Sequence, residues 1–130
     1  MTLNDPLASA LSKIWNAEMV SKVNCVVRPS SKIIKSVLNI FQKKGYIGEF
    51  KEIQDNTGKS ISISLIGRIN KCNVIKPRYN VKTKEFEKFE KRYLIAKNIG
   101  LIIVSTSKGI MTHADAKEKK LGGRLLAYCY

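Results

Sequence analysis

Three short segments join hydroxyls, glycines and cations in patterns suited to a phosphate-bearing polymer. Ser105-Thr106-Ser107-Lys108-Gly109 packs three hydroxyls and an ammonium into one expected turn between apolar runs. A hydroxyl both donates and accepts, so such a turn can address base edges, phosphates and 2′-hydroxyls. The plainer reading is a serine-rich β-turn. Ser30-Ser31-Lys32 stands where a helix should begin. Unpaired backbone N–H groups, two hydroxyls and an ammonium make an anion site there, although helix capping alone accounts for the serines. Gly122-Gly123-Arg124 lets a backbone approach closely and adds a guanidinium. Lys71, Lys76, Arg78 and Lys82 form a basic stretch with Tyr79 beside it. Each segment is weak alone, and their joint presence is what carries weight.

A search for catalysis finds less. His113 is the only imidazole and sits at an expected helix start, which favours a structural or exposed role. Glu85, Glu87 and Glu90 are interleaved with lysines and read as solvated partners of Lys88 and Lys91. Neither GxxxxGK[ST] nor GxGxxG occurs, and no nucleophile, base and orienting group can be assembled. Cys25, Cys72 and Cys129 are far apart and form no CxxC, so a zinc ribbon is not expected, and free thiols suit a reducing cytosol. The expectation is a protein that is not an enzyme, with no cofactor, no metal and no small-molecule substrate.

The charge has one sign throughout. The 130 residues carry 24 Lys and Arg against 10 Asp and Glu, a net +14. Residues 1–70 hold ten cations and five acids, and residues 71–130 hold fourteen and five. The hydrophobic fraction of 44% is enough to build a core, so the charge must cover a folded surface. Fourteen uncompensated charges on a small domain repel one another, and a polyanionic partner relieves that. No apolar run approaches the roughly 18–20 residues that span a bilayer, and the N-terminus lacks the pattern of a signal peptide. No membrane partner is expected.

These segments need elements to hold them. Asp5 is a good N-cap and Pro6 a good first residue for a helix with Leu7, Leu11, Ile14 and Trp15 on one stripe. Cys25-Val26-Val27 reads as a short buried strand ended by Pro29. Ser30 or Ser31 caps a second helix bearing Ile33, Ile34, Val37, Leu38 and Phe41, closed by Gly45. A hairpin follows, Tyr46 to Gln54 and Ser60 to Ile66, turning at Asp55-Asn56-Thr57-Gly58. Ser60, Ser62 and Ser64 alternate there with Ile61, Ile63 and Leu65, one wet and one dry face. The second half reads as a basic loop from Gly67 to Tyr79 and a short helix from Lys84 to Tyr93. Then come a buried strand from Ile99 to Val104, a strand pair with Ile110-Met111, a helical turn capped by Thr112 and a closing strand from Arg124 to Tyr130. The expected fold class is α+β. An N-terminal α-β-α-β-β unit over 1–68 packs against a C-terminal, mostly-β RNA-binding unit with short helices over 69–130.

RNA is favoured over DNA because no helix-turn-helix or basic zipper is apparent, while hydroxyl-rich loops suit the wide A-form minor groove. The aromatic-rich octapeptide of the RNA-recognition motif is absent. DPLASALSKIWNAE (5–18), RPSSKII (28–34), GYIGEF (45–50), LIGRINKCNVIKPRY (65–79), FEKFEKRYL (86–94), IVSTSKGIMTHADA (103–116) and LGGRLLAY (121–128) follow one another in the order of a known family. Together they resemble the eighth universal family of small-subunit ribosomal proteins, and the KPRY and FEKFEKRYL insert resembles its archaeal and eukaryotic branch. Three positions depart from the family pattern: Ser30 stands for a commoner alanine, Asn73 for a glycine and Ile95 for a proline. None of them touches the turn at 105–109.

The resemblance implies a structural constituent of the small ribosomal subunit in the cytoplasm. Such a protein binds the central domain of small-subunit ribosomal RNA early in assembly and sits beside neighbouring ribosomal proteins. It implies that Ser105, Thr106 and Ser107 contact a flipped adenosine, with Gly122-Gly123 close to the RNA and Ser30-Ser31-Lys32 a second contact. The alternatives are a general nucleic-acid binder and a translational repressor of its own messenger RNA.

Overall fold

The apolar stripe of the N-terminal segment becomes a helix in the computed structural model, which describes residues 6–28, 30–56, 58–75, 78–94 and 99–130. The expected roles of Asp5, Pro29, Thr57 and Lys76, and the departure at Ile95, lie outside the described residues. The fold is mixed α+β, with helices and antiparallel sheets in two compact units, Met1–Asn70 and Lys71–Tyr130.

In the first unit, helix α1 (Pro6–Met19) buries Leu7, Leu11 and Ile14. Trp15 lies at the edge of the stripe, and its indole N–H donates to the Asn70 carbonyl at 3.1 Å. Strand β1 (Asn24–Val27) is an edge strand and alternates, so Cys25 and Val27 are buried while Val26 is 50% exposed. The expectation of a wholly buried strand is corrected accordingly. Helix α2 (Lys32–Lys43) buries Ile34, Val37, Leu38 and Phe41 at spacings of three and four. It ends as Gly45 takes φ +81°. The Gly45 N–H donates to Gln42 O and the Tyr46 N–H to Phe41 O, the paired bonds of a glycine-closed helix.

Strands β2 (Ile47–Asp55) and β3 (Gly58–Leu65) form the hairpin, and the sheet order is β1-β3-β2. Ile61 and Ile63 lie on the dry face as expected. Ser60 does not lie on a wet one; it is 2% exposed. β3 is the central strand, and the short side chain of Ser60 lies opposite the longer Ile53 of β2 in direct register.

In the second unit the supposed loop after Gly67 contains strand β4 (Cys72–Val74). It and strand β5 (Asn80–Val81) both pair with strand β8 (Gly123–Cys129). A 3₁₀ turn (Thr83–Glu85) leads into helix α3 (Phe86–Tyr93), which buries Phe86 and Phe89. Strand β6 (Leu101–Thr106) starts two residues later than expected; Ile99 is 52% exposed and Gly100 bends the chain at φ +84°. Strand β7 (Gly109–Thr112) and helix α4 (His113–Glu118) follow, and the Thr112 hydroxyl accepts the Asp115 N–H at 3.2 Å as the cap. The sheet runs β4-β8-β6-β7, so the last strand lies at its centre. Its core joins Ile75, Val81, Phe86, Phe89, Ile102, Val104 and Leu125.

Candidate nucleic-acid interface

The hydroxyl-rich segment is tighter than a five-residue turn. Ser105 and Thr106 still belong to β6, paired with Ile110 and Gly109, and the turn itself is Ser107-Lys108. The Thr106 hydroxyl closes the neck. It donates to the Gly109 carbonyl at 2.8 Å and accepts the Lys108 N–H at 3.2 Å. Gly109 takes φ +118°, where a side chain would strain the backbone. With Thr106 committed to the fold, the Ser105 and Ser107 hydroxyls carry no bond to another described residue. Ser107, Lys108 and Gly109 are exposed, and Ser105 is half-buried.

Sheet register aligns further groups with Ser105. Ser105 pairs with Arg124, and Arg124 pairs with Asn80. Direct partners across antiparallel strands share a face, so serine, guanidinium and amide make one row. The Arg124 Nε–H donates to Asn80 Oδ1 at 3.4 Å. A hollow of about 500 Å³ opens there, lined by Asn80, Val81, Lys82, Glu85, Ser105, Gly123 and Arg124. The paired glycines serve close approach within the protein itself. A Cβ on Gly122 would lie 2.6 Å from the Val81 carbonyl oxygen, and one on Gly123 2.4 Å from that of Ser105. Gly122, Lys82, Arg78 and Arg124 are exposed, and Lys71 and Gly123 are half-buried. The Tyr79 ring packs on Phe89 at 5.4 Å, with the Arg92 guanidinium 5.7 Å above it.

The N-terminal site is more internally satisfied. Ser31 is the cap of α2, and its hydroxyl accepts the Ile34 N–H at 3.3 Å. The Ser30 hydroxyl donates to Glu52 Oε2 at 2.6 Å, and the Lys35 and Lys59 ammoniums also reach that carboxylate. Hydrogen bonds from Lys35 and then Ser30 hold the Glu52 carboxyl below its usual range, so it stays ionised beside the helix start. Lys32 is exposed.

The acids and the histidine divide differently from expectation. Glu90 is not a solvated partner of lysines on its own helix. Its Oε1 faces His113 Nε2 at 3.3 Å and the Lys117 ammonium, and its side chain is only 11% exposed. Helix α3 turns that carboxylate toward α4, where a cation and an imidazole compensate it. His113 is buried, and its Nδ1 accepts the Ile102 N–H at 3.0 Å. Burial, foremost, pushes its pKa down, so the neutral ring presents Nε2–H to the carboxylate.

The part played by Asn80 has no local signal in the sequence, because it depends on β5 pairing with a strand more than forty residues away. Among the described residues, no three His, Cys, Asp or Glu side chains cluster to hold a metal, and no helix is long and apolar enough to cross a membrane. The family model of ribosomal protein S8 matches residues 5–130. Proteins of that family are structural components of the small subunit of the ribosome, a cytoplasmic particle, where they bind ribosomal RNA alongside other ribosomal proteins. The match runs through both units, from the first helix to the last strand, and the chain belongs to the ribosomal protein S8 family.

Proposed function

We propose that the protein binds the central domain of small-subunit ribosomal RNA directly and helps that domain assemble, acting as a scaffold and not as an enzyme. We place it in the archaeal and eukaryotic branch of the family on the strength of KPRY (76–79) and FEKFEKRYL (86–94), and nearer its archaeal side on GGRLLAY (122–128). One observation carries the reading: Ser105 and Ser107 offer uncommitted hydroxyls on a hairpin whose third hydroxyl, that of Thr106, is already holding the turn.

In this reading the second unit supplies specificity. Ser105 and Ser107 address a base edge and nearby 2′-hydroxyls. Arg124, next to Ser105 in the register, and the exposed Lys108 reach phosphates. Lys71, Lys76 and Arg78 add positive charge before β5, and Gly109, Gly122 and Gly123 keep side chains out of the backbone's way. Thr106 acts through the fold of the hairpin. The N-terminal contact is weaker, because Ser31 is committed to its cap and a carboxylate stands beside Ser30. What remains there for a phosphate is Lys32 and the first N–H groups of α2.

Ser107→Ala tests the assignment. It removes a base contact worth about 1–3 kcal/mol and no phosphate charge. Affinity for a small-subunit ribosomal RNA fragment should fall roughly 5- to 150-fold while its salt dependence stays the same. Unchanged affinity would overturn the role of the turn. Sedimentation of a low-salt lysate checks the wider reading, since the protein should travel with small subunits and not stay at the top of the gradient.

A further inference from the structure

Two thiols face each other across one strand pair of the second unit. Cys72 in β4 and Cys129 in β8 are direct register partners. On one side of them, Lys71 and Tyr130 exchange both backbone bonds, Lys71 N–H to Tyr130 O at 3.0 Å and Tyr130 N–H to Lys71 O at 2.9 Å. Antiparallel partners alternate between this doubly bonded kind and a narrower kind with no bonds between them. Cys72 and Cys129 therefore occupy a narrow site, whose Cα atoms stand about 4.5 Å apart with both side chains on one face. A disulfide spans Cα separations of about 4.4–6.8 Å, so the pair can be bridged without moving the backbone far. Both residues are buried, while Cys25, the third thiol, belongs to the first unit. β4 has only three residues and lies at the sheet edge, so it can lift off β8 at small cost and admit a reagent.

We propose that Cys72 and Cys129 are a dithiol–disulfide couple that staples the first strand of the second unit to its last under oxidising conditions. The oxidant is a low-molecular-weight disulfide such as oxidised glutathione. With β4 open, one cysteine thiolate attacks a sulfur of the small disulfide, its S–S bond breaks, and one small thiolate leaves as a mixed disulfide forms. As β4 closes, the second cysteine thiolate attacks the protein-side sulfur and expels the second small thiolate. Two protons pass from the cysteines to the two leaving thiolates, and two electrons reduce the oxidant. The staple fixes the edge strand that follows Lys71 and suppresses the opening that admitted the reagent.

The test uses the full-length folded protein with oxidised glutathione, followed by alkylation of remaining thiols and peptide mapping by mass. The expected product joins the Cys72 peptide to the Cys129 peptide, leaves Cys25 as a thiol and is reversed by dithiothreitol. Cys25→Ser should bridge to the same extent, and Cys72→Ser should give no bridged peptide. As a check that does not depend on the variants, oxidised wild-type protein should unfold at higher urea than the same sample treated with dithiothreitol. Bridging through Cys25, bridging only in urea, or no bridge at all in folded wild-type protein would overturn the proposal.

Discussion

Gly123 shows how little room the candidate interface has. Its Cα lies so near β6 that any Cβ would enter the van der Waals radii of the Ser105 carbonyl and of Val104 Cγ1. Gly123→Ala should cost about 1–3 kcal/mol in urea unfolding, as overpacking does. It should also weaken RNA binding, because the clash moves Ser105. His113 sets a pH limit by a different route. Its folded pKa is lowered from the ordinary 6.5, so the unfolded chain binds the proton first as pH falls. The histidine's contribution to stability is therefore complete above about pH 6.5 and is lost as pH falls through the lowered folded pKa. Urea midpoints should drop as pH falls below about 6.5, and His113→Gln should flatten that part of the profile.

At the scale of elements, one hydroxyl holds the turn of the hairpin β6–β7. Thr106→Val keeps the shape and removes both turn bonds, which should cost about 1–2 kcal/mol. It should loosen the turn enough to lower RNA affinity, as binding assays and hydrogen exchange at Lys108 would both report. Much of the architecture was legible because its signals are local. A serine cap at Ser30 or Ser31 (the structure uses Ser31), Gly45 as a stop and Thr112 with Asp115 three residues on all act within a single helical turn. What was not legible depends on distant partners. Cys72-Asn73-Val74 is a strand only because β8 pairs with it, and nothing in the surrounding basic residues announces that. Local rules make Ser105 and Thr106 part of a turn for the same reason, since their pairing with Arg124 and Gly123 is invisible to them. Glu90 looked solvated on its own helix because its partners, His113 and Lys117, come from α4. Of the candidate site, the residue types were legible; the division of labour between Thr106 and its two serine neighbours was not.

For the whole molecule, the net +14 predicts binding that weakens steeply with salt. Lys108→Gln and Arg124→Gln should each reduce the slope of log affinity against log salt by about one, in contrast to Ser107→Ala. On the proposed reading, charge sets the strength and range of attraction, and a few neutral groups set the choice of partner. The position of β8 bears on a different matter, the order in which the chain can take shape as it is made. Every element of the first sheet precedes residue 66, so all its pairings are available early in synthesis. Among the described residues of the second sheet, β4 and β5 pair with β8 alone, and β6 has only β7 until β8 arrives. The keystone of the second unit is thus translated after every strand it pairs with. The hairpin with the proposed specificity turn emerges from the tunnel before the strand that aligns Arg124 with it.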